Sequence, residues 1–303
     1  MARAFASRII NVPTGVVWAV VRDFNGLPKW HPAIRDSEIE TGAPADQVGV
    51  IRAFHLQDGT LVRERLLSLD DSRYGLSYNF ETPAFPVTDY RAGIDLIPVT
   101  KTGGTYVQWW AEFDEAPEDQ GKYVELISDA VFAAGLEALE LFVKDLPATD
   151  EPLWQGWRPA KVFVSTPMAV PVDNVWQEMR DFAGMDCWHP DISAMVMLDG
   201  APSDQVSAVR DFQFGPGRLH EQLTLLSDTD RAFRYRILKS PQPWMNYHAG
   251  ARLWPVTADN STLAVWTADW VASPNDDVTL IPLVHDHVFQ LALDTLDAKL
   301  RMG

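Results

Sequence analysis

The 303-residue chain has one cysteine, Cys187. An intrachain disulfide is therefore impossible, and so is a thiolate-held metal cluster. Long apolar runs are missing too. No stretch approaches the roughly 18 apolar residues of a membrane-spanning helix, and the opening MARAFASRII reads straight into a strand without a signal-peptide pattern. A cytoplasmic location is the default expectation. Basic residues are scarce, with 25 Lys and Arg against 42 Asp and Glu and a formal net charge of -17. Such a surface repels phosphate backbones and anionic lipid, which argues against nucleic-acid and membrane partners. There is no HExxH motif, no Cys/His cluster and no Gly-rich phosphate loop, so nothing calls for a cofactor or a metal. His285 and His287 are two apart in a helical stretch and point away from each other, a poor metal pair.

What is present is an internal repeat. Val12-Pro13, Trp18, Arg22-Asp23-Phe24, Gly26 and Trp30-His31-Pro32 recur as Val170-Pro171, Trp176, Arg180-Asp181-Phe182, Gly184 and Trp188-His189-Pro190, at a constant offset of 158 (Val12 to Val170). One deletion in a hairpin then lowers the offset to 157 (Glu64 to Glu221). That offset carries Tyr78, Pro86, Tyr90 and Trp109 onto Tyr235, Pro243, Tyr247 and Trp266. Two tandem domains follow, 1–146 and 160–303. The linker 147–159 is rich in Pro, Gly and Trp and lacks periodicity. Its tryptophans, Trp154 and Trp157, are expected at an interface between the domains.

Each repeat reads as a short strand (Ala4–Ile10; Ala160–Val164), a helix opening after Pro13 or Pro171, and a short helical or turn segment holding WHP. Alternating runs then mark strands at Val48–Leu56, Leu61–Leu69, Gly75–Phe80, Tyr90–Val99 and Thr105–Phe113, with hairpin signals at Asp58-Gly59 and Gly103-Gly104. A helical stretch, Gly121–Phe142, closes the repeat. The order β-α-α-β-β-β-β-β-α predicts an α+β domain, a curved antiparallel sheet gripping a long C-terminal helix.

These motifs, with the segment Val48–Phe80, resemble the SRPBCC superfamily (START-like, Bet v 1-like) with its helix-grip fold, and most of all its polyketide cyclase/dehydrase branch. The segment is also similar to plant abscisic-acid receptors, but the two gating loops of those receptors have no counterpart here. The resemblance covers nearly all of both repeats. It implies a small hydrophobic or aromatic ligand and either a cofactor-free cyclase, dehydratase or lyase, or a carrier or sensor without catalysis.

Side-chain parity selects the candidate site. Glu64 shares phase with Val62 and Leu66, and its mate Glu221 with Leu219 and Leu223, so both carboxylates point inward. Arg52 and Arg210 share the inward phase of Phe54 and Phe212. An inward carboxylate is costly unless paired or solvated. It is either part of a pocket cluster or half of a structural Arg–Glu pair, or both. His31 and His189 are either acid/base groups or packing histidines in a Pro-terminated turn. The resemblance puts this position against a ligand carboxylate. Tyr90 and Tyr247 lie in phase with inward residues and either hydrogen-bond a ligand or anchor the sheet end. Tyr78 and Tyr235 are further ligand-binding candidates, and Trp109 and Trp266 are expected to form apolar pocket wall. The catalytic assignment is Glu64 with His31 and Glu221 with His189, the glutamates as bases beside their arginines and the histidines as the acids. The two pockets are expected to differ. The second repeat has the stiffer Gly215-Pro216-Gly217 in the hairpin, and Trp244, where the first has Val87, is expected to fill more volume near the cavity mouth.

Overall fold

The computed structural model describes residues 1–147 and 160–302. Trp154 and Trp157, and the interface expected of them, lie outside these residues. Domain 1 runs β1 (Ala2–Ile10), α1 (Thr14–Val21), β2 (Ile34–Ile39), β3 (Ile51–Leu56), β4 (Leu61–Asp70), β5 (Gly75–Thr82), β6 (Thr88–Val99) and β7 (Gly104–Asp114). One helical run follows, α2 (Lys122–Glu125), a π-helical stretch Leu126–Ala133, and α3 (Ala134–Val143). The sheet order is β1-β7-β6-β5-β4-β3-β2. Consecutive strands pair as hairpins, and β1 closes on β7 along its whole length.

Domain 2 repeats the plan with β8 (Val162–Met168), α4 (Val172–Met179), β9 (Ile192–Met197), β10 (Val209–Phe214), β11 (Gly217–Ser227), β12 (Ala232–Lys239), β13 (Met245–Val256) and β14 (Ser261–Val271). Its closing helix comprises α5 (Pro274–Pro282), a π-helical Leu283–Gln290, and α6 (Leu291–Met302). Its sheet order is β8-β14-β13-β12-β11-β10-β9. Each domain is thus a seven-stranded antiparallel sheet packed on a long C-terminal helix, the α+β helix-grip arrangement.

The seventh strand, β2 or β9, has no counterpart among the expected six. It lies at a sheet edge and pairs on one side only. IRDSEI needs few buried side chains there and carries the charges typical of a protected edge. The first strand of domain 2 also runs beyond Ala160–Val164 to Met168, passing Pro167, which an edge strand tolerates.

The core of domain 1 joins Trp18, Phe24, Leu66 and Trp109 to helix residues Ile127, Leu136 and Leu139. That of domain 2 joins Trp176, Phe182, Leu223 and Trp266 to Val284, Leu293 and Leu296. Among the described residues no helix is long and apolar enough to cross a membrane.

Candidate ligand-binding site

Period-two alternation places the four central charges. On β4 the buried positions are Val62, Glu64 and Leu66, and on β11 they are Leu219, Glu221 and Leu223. Each glutamate sits beside a register shift in its pairing with the next strand, between Arg63 and Glu64 in one copy and His220 and Glu221 in the other. Bulges of this kind re-aim side chains near functional sites. Arg52 lies directly across from Glu64, and Arg210 across from Glu221.

Both pairs are closed salt bridges. Arg52 Nε donates to Glu64 Oε2 at 2.7 Å and its Nη2 lies 2.5 Å from the same oxygen. Arg210 makes the same two contacts to Glu221 Oε2, at 2.8 and 2.5 Å. The remaining guanidinium nitrogen donates to the carbonyl of Phe24 or Phe182, and the group stacks 3.9 or 4.0 Å from that residue's ring. Each glutamate is only 5% exposed. Burial pushes both carboxyls up, while the adjacent guanidinium works against that push. The pair therefore ties two strands to the turn after the first helix, whatever else it does.

The tyrosines stand next to the pair. Trp109 Nε1 donates to Tyr78 Oη at 2.8 Å, and Tyr90 lies beside Tyr78 on the next strand. Tyr235 and Tyr247 are their counterparts, with ring centroids 6.4 Å apart. Burial, aided by the neighbouring glutamate, pushes all four phenols above their ordinary value, so they stay protonated donors.

His31 and His189 are held differently from a proton relay. The backbone N–H of Ala33 donates to His31 Nδ1 at 3.2 Å, which leaves Nε2 to carry the proton and donate to the Val131 carbonyl at 3.2 Å. In domain 2, Asp191 N–H donates to Nδ1 at 3.1 Å and Nε2 meets the Val288 carbonyl at 3.2 Å. Both carbonyls belong to π-helical turns, where the regular helix ladder is interrupted. Burial lowers both rings below their ordinary pKa. Each histidine thus clasps the WHP turn to the long helix with both nitrogens engaged. The acid role expected of them would require breaking that clasp.

Space for a ligand is found in domain 2. An inner cavity of about 30 Å³ is bounded by Arg210, Glu221, Tyr235 and Tyr247 at its polar end, and by Phe212, Val284 and Val288 among its apolar walls. Phe214, Leu219 and Trp244 line both this cavity and a groove of about 530 Å³ outside it. The groove lies between the Gly215-Pro216-Gly217 hairpin, Pro241 and Gln242 of the β12–β13 loop, and Leu283 and His287 of the helix. Gly215 takes φ 53, a left-handed turn position that glycine adopts freely. Trp244 packs on Tyr247 (ring centroids 4.8 Å apart) and on Trp270 (5.8 Å), and its buried Nε1 has no partner among the described residues. Trp266 instead stacks on Phe289 of the helix, as Trp109 stacks on Phe132. His248 is exposed, in keeping with its outward phase.

Sequence parity pointed Glu64, Arg52 and Tyr90 inward, and the structure sets Tyr78 and Trp109 beside them, with the mates of all five in domain 2. It missed the π-helical turns and the groove residues Phe214, Gln242 and His287. It also missed the domain 1 rings Phe80, Phe85 and Tyr123. A position-by-position comparison of the two repeats carries the signal for the rings, since these positions change in kind. Among the described residues no group of three or more His, Cys, Asp or Glu is placed to hold a metal ion.

The chain matches the family model described as polyketide cyclase / dehydrase and lipid transport twice, over residues 1–141 and 159–301. It belongs to that family. No curated protein matches it. A solution structure from Thermobifida fusca is 33% identical over 50% of this chain and 99% of its own, with a TM-score of 0.44. A crystal structure of an uncharacterized protein from Bacillus thuringiensis is 28% identical over 48% of this chain and 100% of its own, with a TM-score of 0.43. The di-domain ARO/CYC BexL from the BE-7585A biosynthetic pathway covers 98% of both chains at 12% identity, with a TM-score of 0.41. The polyketide cyclase/dehydrase family description itself spans both chemistry and transport.

Proposed function

We propose that this protein binds a small, mostly apolar aromatic molecule in a helix-grip pocket, its rings in the outer groove and its polar end toward the inner cavity beside the buried Arg–Glu pair and the tyrosines. The domain limits 1–146 and 160–303 are part of the proposal. One observation carries it: the domain 2 chamber is apolar except where Arg210, Glu221, Tyr235 and Tyr247 converge at one end. A few convergent polar groups in an apolar concavity are the usual make-up of a small-molecule site. Calorimetric titration of the whole protein with 2-naphthol tests the reading. Saturable binding is expected, weakened about 2- to 10-fold in Tyr247→Phe by loss of one hydrogen bond. Absence of saturable binding, or identical affinity in the variant, contradicts it.

A second reading has an observation of its own. Burial raises the Glu221 carboxyl and keeps the neighbouring phenols protonated, which suits acid/base chemistry on a bound ligand. The reaction would be a cyclisation, dehydration or elimination without a cofactor, with Glu64 as the corresponding group of domain 1. Glu221→Gln keeps the shape and removes the titrating proton. A catalytic role predicts a loss of turnover of about 10²–10⁴-fold with binding retained. A carrier role predicts altered affinity and no turnover in either form.

A further inference from the structure

The two domains are built on the same polar pair, yet the residues around it differ position by position. In domain 1 a chain of aromatic rings crosses from sheet to helix. Phe80 stacks on Tyr90 with centroids 3.9 Å apart and planes 19° apart, and Tyr90 in turn stacks on Phe113 at 6.0 Å. Phe85 of the β5–β6 loop reaches Phe80 at 6.4 Å and Tyr123 of the helix at 6.1 Å. The positions equivalent to Phe80, Phe85 and Tyr123 in domain 2 are Ile237, Gln242 and Leu280. Two of these replacements, Ile237 and Gln242, line the open space of domain 2.

The hairpin beside the mouth differs as well. Gln57 is fastened to the WHP turn of domain 1: its backbone N–H donates to the Ala33 carbonyl at 3.0 Å, and its side-chain amide to the Pro32 carbonyl at 3.1 Å. The equivalent residue of domain 2 is Gly215, which has no side chain to make the second bond and lines the groove.

We infer that each chain takes one aromatic ligand, in domain 2, because the chamber of domain 1 is stoppered by its own Phe80, Phe85 and Tyr123 and latched by Gln57. Domain 1 is then a closed copy of the scaffold. The groove of about 530 Å³ falls within the range of sites for small organic molecules and admits a fused bicyclic or tricyclic ring system. The inference rests on the proposed binding function and specifies where it occurs.

Exchanging the stopper between domains tests it in the intact protein, with 2-naphthol as the calorimetric probe. Wild type should bind one equivalent. Ile237→Phe/Gln242→Phe places the stopper in domain 2 and should weaken binding at least 10-fold. Gln242→Phe alone, a single change at a half-buried residue lining the groove, should weaken it in the same direction and guards against misfolding of the double variant. The reverse exchange, Phe80→Ile/Phe85→Gln, should open a second site and raise the stoichiometry to two, with circular dichroism confirming the fold. Two equivalents in wild type overturn the inference while leaving the binding function intact. So does unchanged affinity in both stoppered variants, or a stoichiometry of one in a folded reverse exchange. If no form binds the probe, the binding function and the inference fall together.

Discussion

Domains 1 and 2 agree most closely where they are most polar and differ most where they are aromatic. The Arg52–Glu64 and Arg210–Glu221 contacts match within 0.1 Å (2.7 against 2.8 Å for Nε, and 2.5 Å in both for Nη2). The histidine clasp is repeated with the same partners, but its packing is not. His31 stands edge-on to Trp109 at 5.8 Å, whereas His189 stands edge-on to Phe214 at 6.0 Å. Gly135 makes the first arrangement possible, because a Cβ there would lie 2.8 Å from His31 and 2.9 Å from Trp109. Domain 2 has Ala292 at that position. A polar pair kept in domain 1, where aromatic rings pack beside it, is first a part of the scaffold. Any ligand role is added to that by what surrounds it.

The largest expected effect comes from breaking the shared pair. Arg52→Ala or Arg210→Ala leaves a carboxylate buried without its partner and should cost about 3–5 kcal/mol in the affected domain. Domain-resolved hydrogen exchange under denaturant should show similar losses in the two copies. Replacing both partners by apolar residues of similar volume, as in Arg52→Met/Glu64→Leu, should recover most of the loss. Unequal losses would mean that the pair does different work in the two domains.

A smaller effect should separate the copies at the clasp. Gly135→Ala forces a methyl group against His31 and Trp109, and overpacking of this kind costs about 1–3 kcal/mol, offset by about 1 kcal/mol of helix propensity. Ala292→Gly should cost domain 2 about 1 kcal/mol through propensity alone. The same exchange measurement reads both. Stabilisation of domain 1 by Gly135→Ala would show that the ring can move away without penalty.

The smallest effect is a pH slope common to both domains. His31 and His189 are held below their ordinary pKa by burial. The unfolded chain therefore takes up protons more readily than the folded one. Their contribution is fully present above about pH 6.5 and is lost as the pH falls toward the lowered folded value. The raised glutamates slope the opposite way, favouring the fold at low pH and losing that contribution as the pH rises through their folded value. Denaturation of the wild type from pH 7.5 down to 5 should be steeper than that of His31→Gln/His189→Gln. Parallel curves would assign the slope to other groups.

Much of this was legible in the sequence because strand parity is a strict geometric rule. Val62 and Leu66 can be buried only if Glu64 is too, and the repeat allows the same inference to be made twice. The edge strands β2 and β9 were not legible, since one-sided pairing imposes little apolar pattern. The histidine clasp was not legible either. It depends on a carbonyl 100 residues away in a π-helical turn, and no local spacing encodes that. The ring stopper involves ordinary aromatic residues, and only their contacts across sheet, loop and helix distinguish Phe80 and Phe85 from general core.

The most direct measurement is a crystal structure of the whole protein soaked with 2-naphthol. The account predicts an aromatic ring in domain 2 against Trp244 and Phe214, its hydroxyl toward Tyr247 and the Arg210–Glu221 pair, with Phe80 and Phe85 of domain 1 in place. A naphthol seated in domain 1, or domain 2 left empty in crystals that bind the probe elsewhere, would contradict it.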